Sequence, residues 1–310
     1  MRRLFAPGHP KRVSSQEQGR ISVLRDNHIV PLLPACHHAS PQMRQPWQGI
    51  LLEQHAVAAI EIPEHEHGEL CLHLQTSGDD AMEWWSGGRN SLERTSPGSM
   101  LLVPAGTRDR IRWQGASNRL LLTLSPEWMN QIAEEAGAPV PEFIMNWSLR
   151  DAALERLIAD MGHQAAEGWP LGRLYADLTA AGLISQLVRR YAVHPVSPAE
   201  VQGGLPVPLL RRAMEFMTAN LASDLRLEQI AGETGLSAFH FARGFRAATG
   251  ATPYQYLLDQ RIDRSKYLLR TRNWPVQEIA QMTGFHSPVN FVRSFRQRVG
   301  LTPGAWRKAN

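Results

Sequence analysis

The chain has 310 residues, room for two domains, with 43% hydrophobic and 20% charged residues and a formal net charge of +4, an ordinary composition for a globular protein. No apolar run approaches the roughly 20 residues that cross a bilayer. Two cysteines, Cys36 and Cys71, are too few for a disulfide framework, so a reducing cytoplasm and no membrane partner are expected.

Charge is placed unevenly. Residues 209–310 hold 15 Lys and Arg against 7 Asp and Glu, a net of +8, and the remainder holds 18 against 22, a net of −4. That points to a polyanionic partner for the carboxyl-terminal part alone.

In chain order, the opening "MRRLFAPGHPKRVSS" lacks the apolar stretch and small-residue cleavage site of a secretory leader. Residues 1–45 are rich in Pro, His and Gln without periodicity and are expected to form a mobile tail, with Cys36, His37 and His38 part of it. From 48 to 124, "GILLEQHAVAAIEI", "ELCLHL", "MEWW", "GSMLLVP", "DRIRW" and "RLLLTL" each suit a strand, separated by turn residues. Short strands at this spacing read as a sandwich or small barrel.

Helical spacing then takes over. Ser125 is placed to cap a helix ending near Gly137. Leu154, Leu157, Ile158, Met161 and Ala165 make one apolar stripe, and Leu171, Leu174, Tyr175 and Leu178 begin another that runs to Tyr191. The Pro- and Gly-rich residues 193–208 read as a linker.

The chain then writes one short unit twice, at 227–253 and 276–303, sharing Ile, Ala, Thr, Gly, Phe, Arg, Phe, Arg, Gly, Thr and Pro in order. Each copy spells a helix–turn–helix. Ile230 and Ala231 face inward, Gly235 turns the chain and Ser237 caps the next helix; Ile279, Ala280, Gly284 and Ser287 repeat this with one extra turn residue. On the second helix, Phe241 and Phe245 lie 40° apart, leaving Phe239, Ala242, Arg243 and Arg246 on the opposite side. Phe291 and Phe295 are the matching inward pair, with Val289, Val292, Arg293 and Arg296 outward. Arginines on an exposed helix face suit a DNA major groove, where they pair with guanine. A lone exposed Arg is more often there for solubility; matching pairs in duplicated units favour DNA. Between the copies, Thr252 and Pro253 open a helix to about 270, roughly 27 Å at ~1.5 Å per residue, a rigid spacer suited to two successive major grooves.

The stretch "RIDRSKYLLRTRNWPVQEIAQMTGFHSPVNFVRSFRQRVGLTPGAWR" resembles the carboxyl-terminal signature of the AraC/XylS family of bacterial transcription regulators. The resemblance implies a seven-helix DNA-binding domain over 209–308. It also implies an amino-terminal cupin-like β-barrel over 46–192, with packing helices, that senses a small molecule or dimerises. The fold expected is therefore α+β. Base-contacting positions carry over to Phe239, Ala242 and Arg243, and to Pro288, Val289 and Arg293; Ser237, Arg246, Ser287, Asn290 and Arg296 complete the candidate DNA-binding set. Ala242, Pro288 and Val289 depart from the long polar residues common in relatives. Promoter DNA, RNA polymerase, a small-molecule effector and a second copy of the chain are the partners implied, and activation is the family's commoner mode.

In the amino-terminal part, His65 and His67 share one side of a strand and with Glu69 imitate a two-histidine, one-carboxylate site. A catalytic cupin adds a histidine after Gly-x5-Pro-x-Gly. Here Gly98, Pro104 and Gly106 are followed by Arg108 and Asp109, so no three-His, one-Glu centre is encoded and no metal or other cofactor is expected. His65, His67, Glu69 and Arg108, with Trp84, Trp85 or Trp113, are the candidate lining of an effector pocket. No phosphate-binding loop, dinucleotide fingerprint or nucleophile elbow occurs, and a metal-dependent cupin enzyme fused to a DNA-binding domain is the alternative to a regulator that is not an enzyme.

Overall fold

The computed structural model describes residues 20–33, 46–135, 139–194 and 204–309. Cys36, His37 and His38, and most of the expected linker, lie outside the described residues. Two compact units are distinguished. The first draws on Met1–Ile132, Val140–Gly162 and Tyr191–His194, and the second on Ala133–Pro139, His163–Arg190 and Pro195–Asn310.

The first unit opens with β1 (Ser22–Arg25) and β2 (His28–Pro31), then β3 (Ile50–Val57), β4 (Ile60–His67), β5 (Leu70–Ser77), β6 (Asp80–Ser86), β7 (Arg89–Thr95), β8 (Met100–Val103), β9 (Arg108–Trp113), β10 (Ser117–Leu124) and, after helix α1 (Pro126–Glu135), β11 (Asn146–Leu149). All pairing is antiparallel, in a six-stranded sheet ordered β2-β1-β4-β9-β6-β7 and a five-stranded sheet ordered β11-β8-β5-β10-β3. Among the described residues no ladder joins the two sheets, so they face each other as open sheets and not as a closed cylinder. Alternate residues fill the space between them. Val23, Ile62, Met82, Ile111 and Trp113 from one sheet pack with Leu51, Val57, Cys71, Leu101, Val103 and Leu121 from the other.

Residues 20–33 correct the expectation of a tail over 1–45. They form the β1–β2 hairpin, and β1 pairs with β4. Asp26 and Asn27 take positive φ (47° and 65°), the geometry of a two-residue hairpin turn for which Asn is suited. The hairpin has only four residues to a strand, too short a run for alternation to stand out in the sequence. The expected strand 49–62 divides into β3 and β4, and Ser125 does cap α1, accepting from Trp128 N at 3.2 Å. Helix α2 (Ala152–Ala166) buries Leu154, Ile158 and Met161. Its Gly162 lies against Leu120, whose Cδ1 would stand 2.7 Å from an added Cβ, so glycine permits the close approach of helix to sheet.

The second unit holds α3 (Arg173–Tyr191), α4 (Val207–Ala219), α5 (Leu227–Gly232), α6 (Ala238–Thr249), α7 (Pro253–Thr271), α8 (Val276–Met282), α9 (Pro288–Val299) and α10 (Pro303–Ala309). From α4 onward these are the seven helices expected. One core gathers Ala213, Met217, Leu227, Ile230, Phe241 and Phe245; a second gathers Ile262, Leu269, Ile279, Phe291 and Phe295. Tyr254 on α7 packs against both.

Helix α3 departs from the expected boundary at 192. Leu174 and Leu178 join the first of those cores, Tyr175 meets Tyr254 edge-on at 5.0 Å, and residues 163–190 group with the carboxyl-terminal helices. An apolar stripe shows that a face is buried; it does not name the partner.

Candidate nucleic-acid interface and sandwich interior

In the first helix–turn–helix, α5 ends and Gly235 takes φ 70°, carrying the chain into α6. Ser237 caps α6, its Oγ accepting from His240 N at 3.3 Å, and Gly250 closes it at φ 76°. Phe241 and Phe245 have no solvent exposure, which fixes the opposite face outward. There Phe239, Ala242 and Arg243 are half-buried and Arg246 is exposed. The Arg243 guanidinium stands 5.7 Å from the Phe239 ring centroid, so this arginine is braced along its own helix.

The second copy has the same inner face. Gly284 takes φ 81°, and any side chain there would run into the Leu221 carbonyl and the Arg261 guanidinium. Arg261 itself is buried and donates to Leu221 O and Ser223 O at 2.8 and 2.9 Å. On α9, Pro288 occupies the first turn and Ser287 makes no side-chain cap. Val289 is 75% exposed; Pro288, Arg293 and Arg296 are exposed too. Asn290 departs from its expected place on that face: it is buried, and its Oδ1 accepts from Arg293 Nη2 at 3.0 Å. It therefore orients Arg293 from behind. Pro288, Val289, Val292, Arg293 and Arg296 line one open groove together with Gln297 and Thr302.

Helix α7 runs 19 residues between the copies and opens as expected. Thr252 Oγ1 accepts from Gln255 N at 3.2 Å while Gln255 Oε1 accepts from Thr252 N at 2.9 Å, a reciprocal cap. From outside the pair, α3 presents Asp177, which is buried, accepts from Leu227 N at 3.1 Å and pairs with Arg173 at 2.8 Å. Burial, with Glu228 adding repulsion, raises its carboxyl to about 6.

In the first unit, β4 carries one extra residue between Ile62 and His65 relative to β9: Ile62 faces Ile111 and His65 faces Asp109. This bulge shifts the side-chain phase, so His65 and His67 point between the sheets and Glu64 and Glu66 point out. Asp109 points inward opposite His65. His65 Nε2 lies 3.1 Å from His67 Nε2 and 3.6 Å from Asp109 Oδ1; His67 Nε2 lies 3.0 Å from Asp109 Oδ2. All three residues are at most 3% exposed. His65 Nδ1 donates to Pro63 O at 2.9 Å, and burial lowers its pKa to about 4, so the ring is neutral.

The other expected pocket residues divide. Arg108 turns outward, its side chain 71% exposed and paired with Glu66 at 3.0 Å, because strand alternation gives the inner face to Asp109. Trp85 lies on the outer face beneath Arg110, at 4.6 Å. Glu69 is buried but does not join the His65–His67–Asp109 cluster. Trp113 is buried with Arg119 4.7 Å over its ring, and Trp84 stacks on Trp147 at 4.8 Å. More polar groups share the interior. Arg119 pairs with Asp80 at 3.3 Å and Gln75 at 3.0 Å, His55 with Glu53 at 2.7 Å, and buried His73 is held neutral by desolvation. Arg119, Asp80 and the inward role of Asp109 escape sequence reasoning because they depend on register.

Residues 213–309 match the family described as "Helix-turn-helix domain". The chain is similar to the HTH-type transcriptional activator RhaR of Klebsiella pneumoniae, 29% identical over 188 residues, 60% of this chain and 65% of the relative. It is similar also to RhaR of Escherichia coli K12, 27% identical over 191 residues, 61% and 66% of the two chains. The chain thus spans just under two thirds of the length of these curated relatives. Among solved structures, an AraC-type regulator from Chromobacterium violaceum is 30% identical, covering 33% of this chain and 90% of that one, with a TM-score of 0.32. The DNA-binding domain of AdpA, solved with a target DNA, is 34% identical over 32% and 90%, with a TM-score of 0.31. The helix-turn-helix match thus covers roughly the carboxyl-terminal third of the chain.

Proposed function

We propose that the protein is a sequence-specific DNA-binding transcriptional regulator whose carboxyl-terminal helices read two adjacent major-groove segments of a promoter. The observation that carries this is the pair of outward arginine faces on α6 and α9, each backed by two fully buried phenylalanines. Arg243 and Arg293 are assigned to bases, Arg246 and Arg296 to phosphates. The relatives' description as transcriptional activators favours activation, and contact with RNA polymerase in the cytoplasm belongs to the proposed role. The first unit is assigned as a cupin-like domain for effector sensing or dimerisation. Its facing sheets and the Gly98-x5-Pro104-x-Gly106 turn, with Gly98 and Gly106 at φ 84° and 80°, support that reading. No helix among the described residues is long and apolar enough to cross a membrane.

Footprinting of genomic promoter fragments tests it. A protected tract spanning two successive turns of the duplex is expected, and the double variant Arg243→Ala, Arg293→Ala loses it. Absence of any such tract, with or without candidate effectors, overturns the reading.

A further inference from the structure

We propose that His65, His67 and Asp109 form a binding site for one divalent first-row transition-metal cation between the sheets of the first unit. The proposal goes beyond the DNA-binding reading and does not rest on it.

Spacing is the first argument. A cation about 2.0–2.2 Å from nitrogen and oxygen ligands sets neighbouring ligand atoms about 3.0 Å apart in octahedral geometry and about 3.4 Å apart in tetrahedral geometry. Here His65 Nε2 and His67 Nε2 stand 3.1 Å apart, and the Asp109 carboxylate reaches His67 through Oδ2 at 3.0 Å and His65 through Oδ1 at 3.6 Å, with one ligand atom from each residue within 4.8 Å of the others.

The second argument is proton inventory. A carbonyl only accepts, so the His65 bond to Pro63 O places that ring's proton on Nδ1 and leaves a lone pair on Nε2. That lone pair faces His67 Nε2 and the Asp109 carboxylate. A single proton on His67 Nε2 satisfies one acceptor at a time, whereas three converge. Both Asp109 oxygens are buried without a hydrogen-bond donor, a costly state for a carboxylate 1% exposed. One cation meets all three donors together. The backbone bond to Nδ1 is also the kind of outer support that orients metal-binding imidazoles.

Ligand chemistry names the cation class. Two imidazoles with one carboxylate suit zinc, iron, manganese or cobalt, and poorly suit magnesium or calcium, which favour oxygen. Three protein ligands leave at least one position open to water or an exogenous ligand. The bulge in β4 and the His65–Asp109 register are what assemble the set.

The full-length protein, stripped with a chelator, is titrated without DNA. Zinc is followed by calorimetry and cobalt(II) by its visible absorption. One equivalent is expected, with a cobalt spectrum of nitrogen and oxygen ligation and a raised unfolding temperature. Asp109→Asn, close to isosteric, and His67→Gln weaken binding by at least about 100-fold while keeping the circular dichroism of the wild type. His163→Ala removes the exposed pair with Glu167 and leaves the stoichiometry unchanged. No binding by the wild type, wild-type affinity in Asp109→Asn and His67→Gln, or loss of binding in His163→Ala each overturns the proposal.

Discussion

In both helix–turn–helix copies the second helix turns two phenylalanines inward without solvent exposure, Phe241 and Phe245 in one and Phe291 and Phe295 in the other. Their outward and terminal residues have diverged. The first copy is held from several sides. Asp177 of α3 caps its opening helix, Ser237 caps its second, and Arg243 lies along Phe239. The second opens with prolines at Pro275 and Pro288, has no side-chain cap from Ser287, and holds Arg293 exposed on buried Asn290. Duplication has preserved what each module needs to fold and released what it presents.

Four comparisons break or sharpen that contrast. The largest effect belongs to what is shared: Phe241→Ala and Phe291→Ala should each cost about 3–5 kcal/mol in chemical denaturation. A large difference between them would show that the two cores are not equivalent. Next is Asp177, which touches only the first copy. Its folded pKa of about 6 lies above the ordinary 3.8, so its contribution to stability is present below pH 4 and is lost as pH rises through 6. That swing amounts to about 3 kcal/mol. Asp177→Asn should flatten stability between pH 4 and 6; an unchanged pH profile refutes the assignment.

Arg293→Ala should weaken cognate DNA binding by about 1–3 kcal/mol and leave the unfolding temperature unaltered. Arg243→Ala should lower both, since that side chain also packs on Phe239. Equal unfolding temperatures for the two variants would remove the distinction. The smallest effect separates the caps: Ser237→Ala should cost about 1 kcal/mol, and Ser287→Ala should be silent in the same melt.

How much was legible in the sequence tracks how local the cause is. Glycine turns at Gly235 and Gly284, the Thr252–Pro253 start and the inward phenylalanines follow from residues a few positions apart, and the structure places them as expected. Asn290 was misplaced because its position on the helix wheel borders both faces. The sandwich was harder. Composition marks the strands, but the partner of each inward residue depends on register, so the sequence alone suggests Arg108 where Asp109 belongs. The partner of α3 was hidden for the same reason: its stripe of leucines fits any apolar groove.

The β4 bulge makes the character of the domain's interior depend on a single insertion. Along Glu64-His65-Glu66-His67 acids and imidazoles alternate, so the same residues paired without the bulge would exchange the two sets. Two glutamates would then enter the space between the sheets and both histidines would face water. One step of strand register thus separates an imidazole-lined chamber from an acidic one on an otherwise unaltered scaffold, a short distance between different chemical appetites.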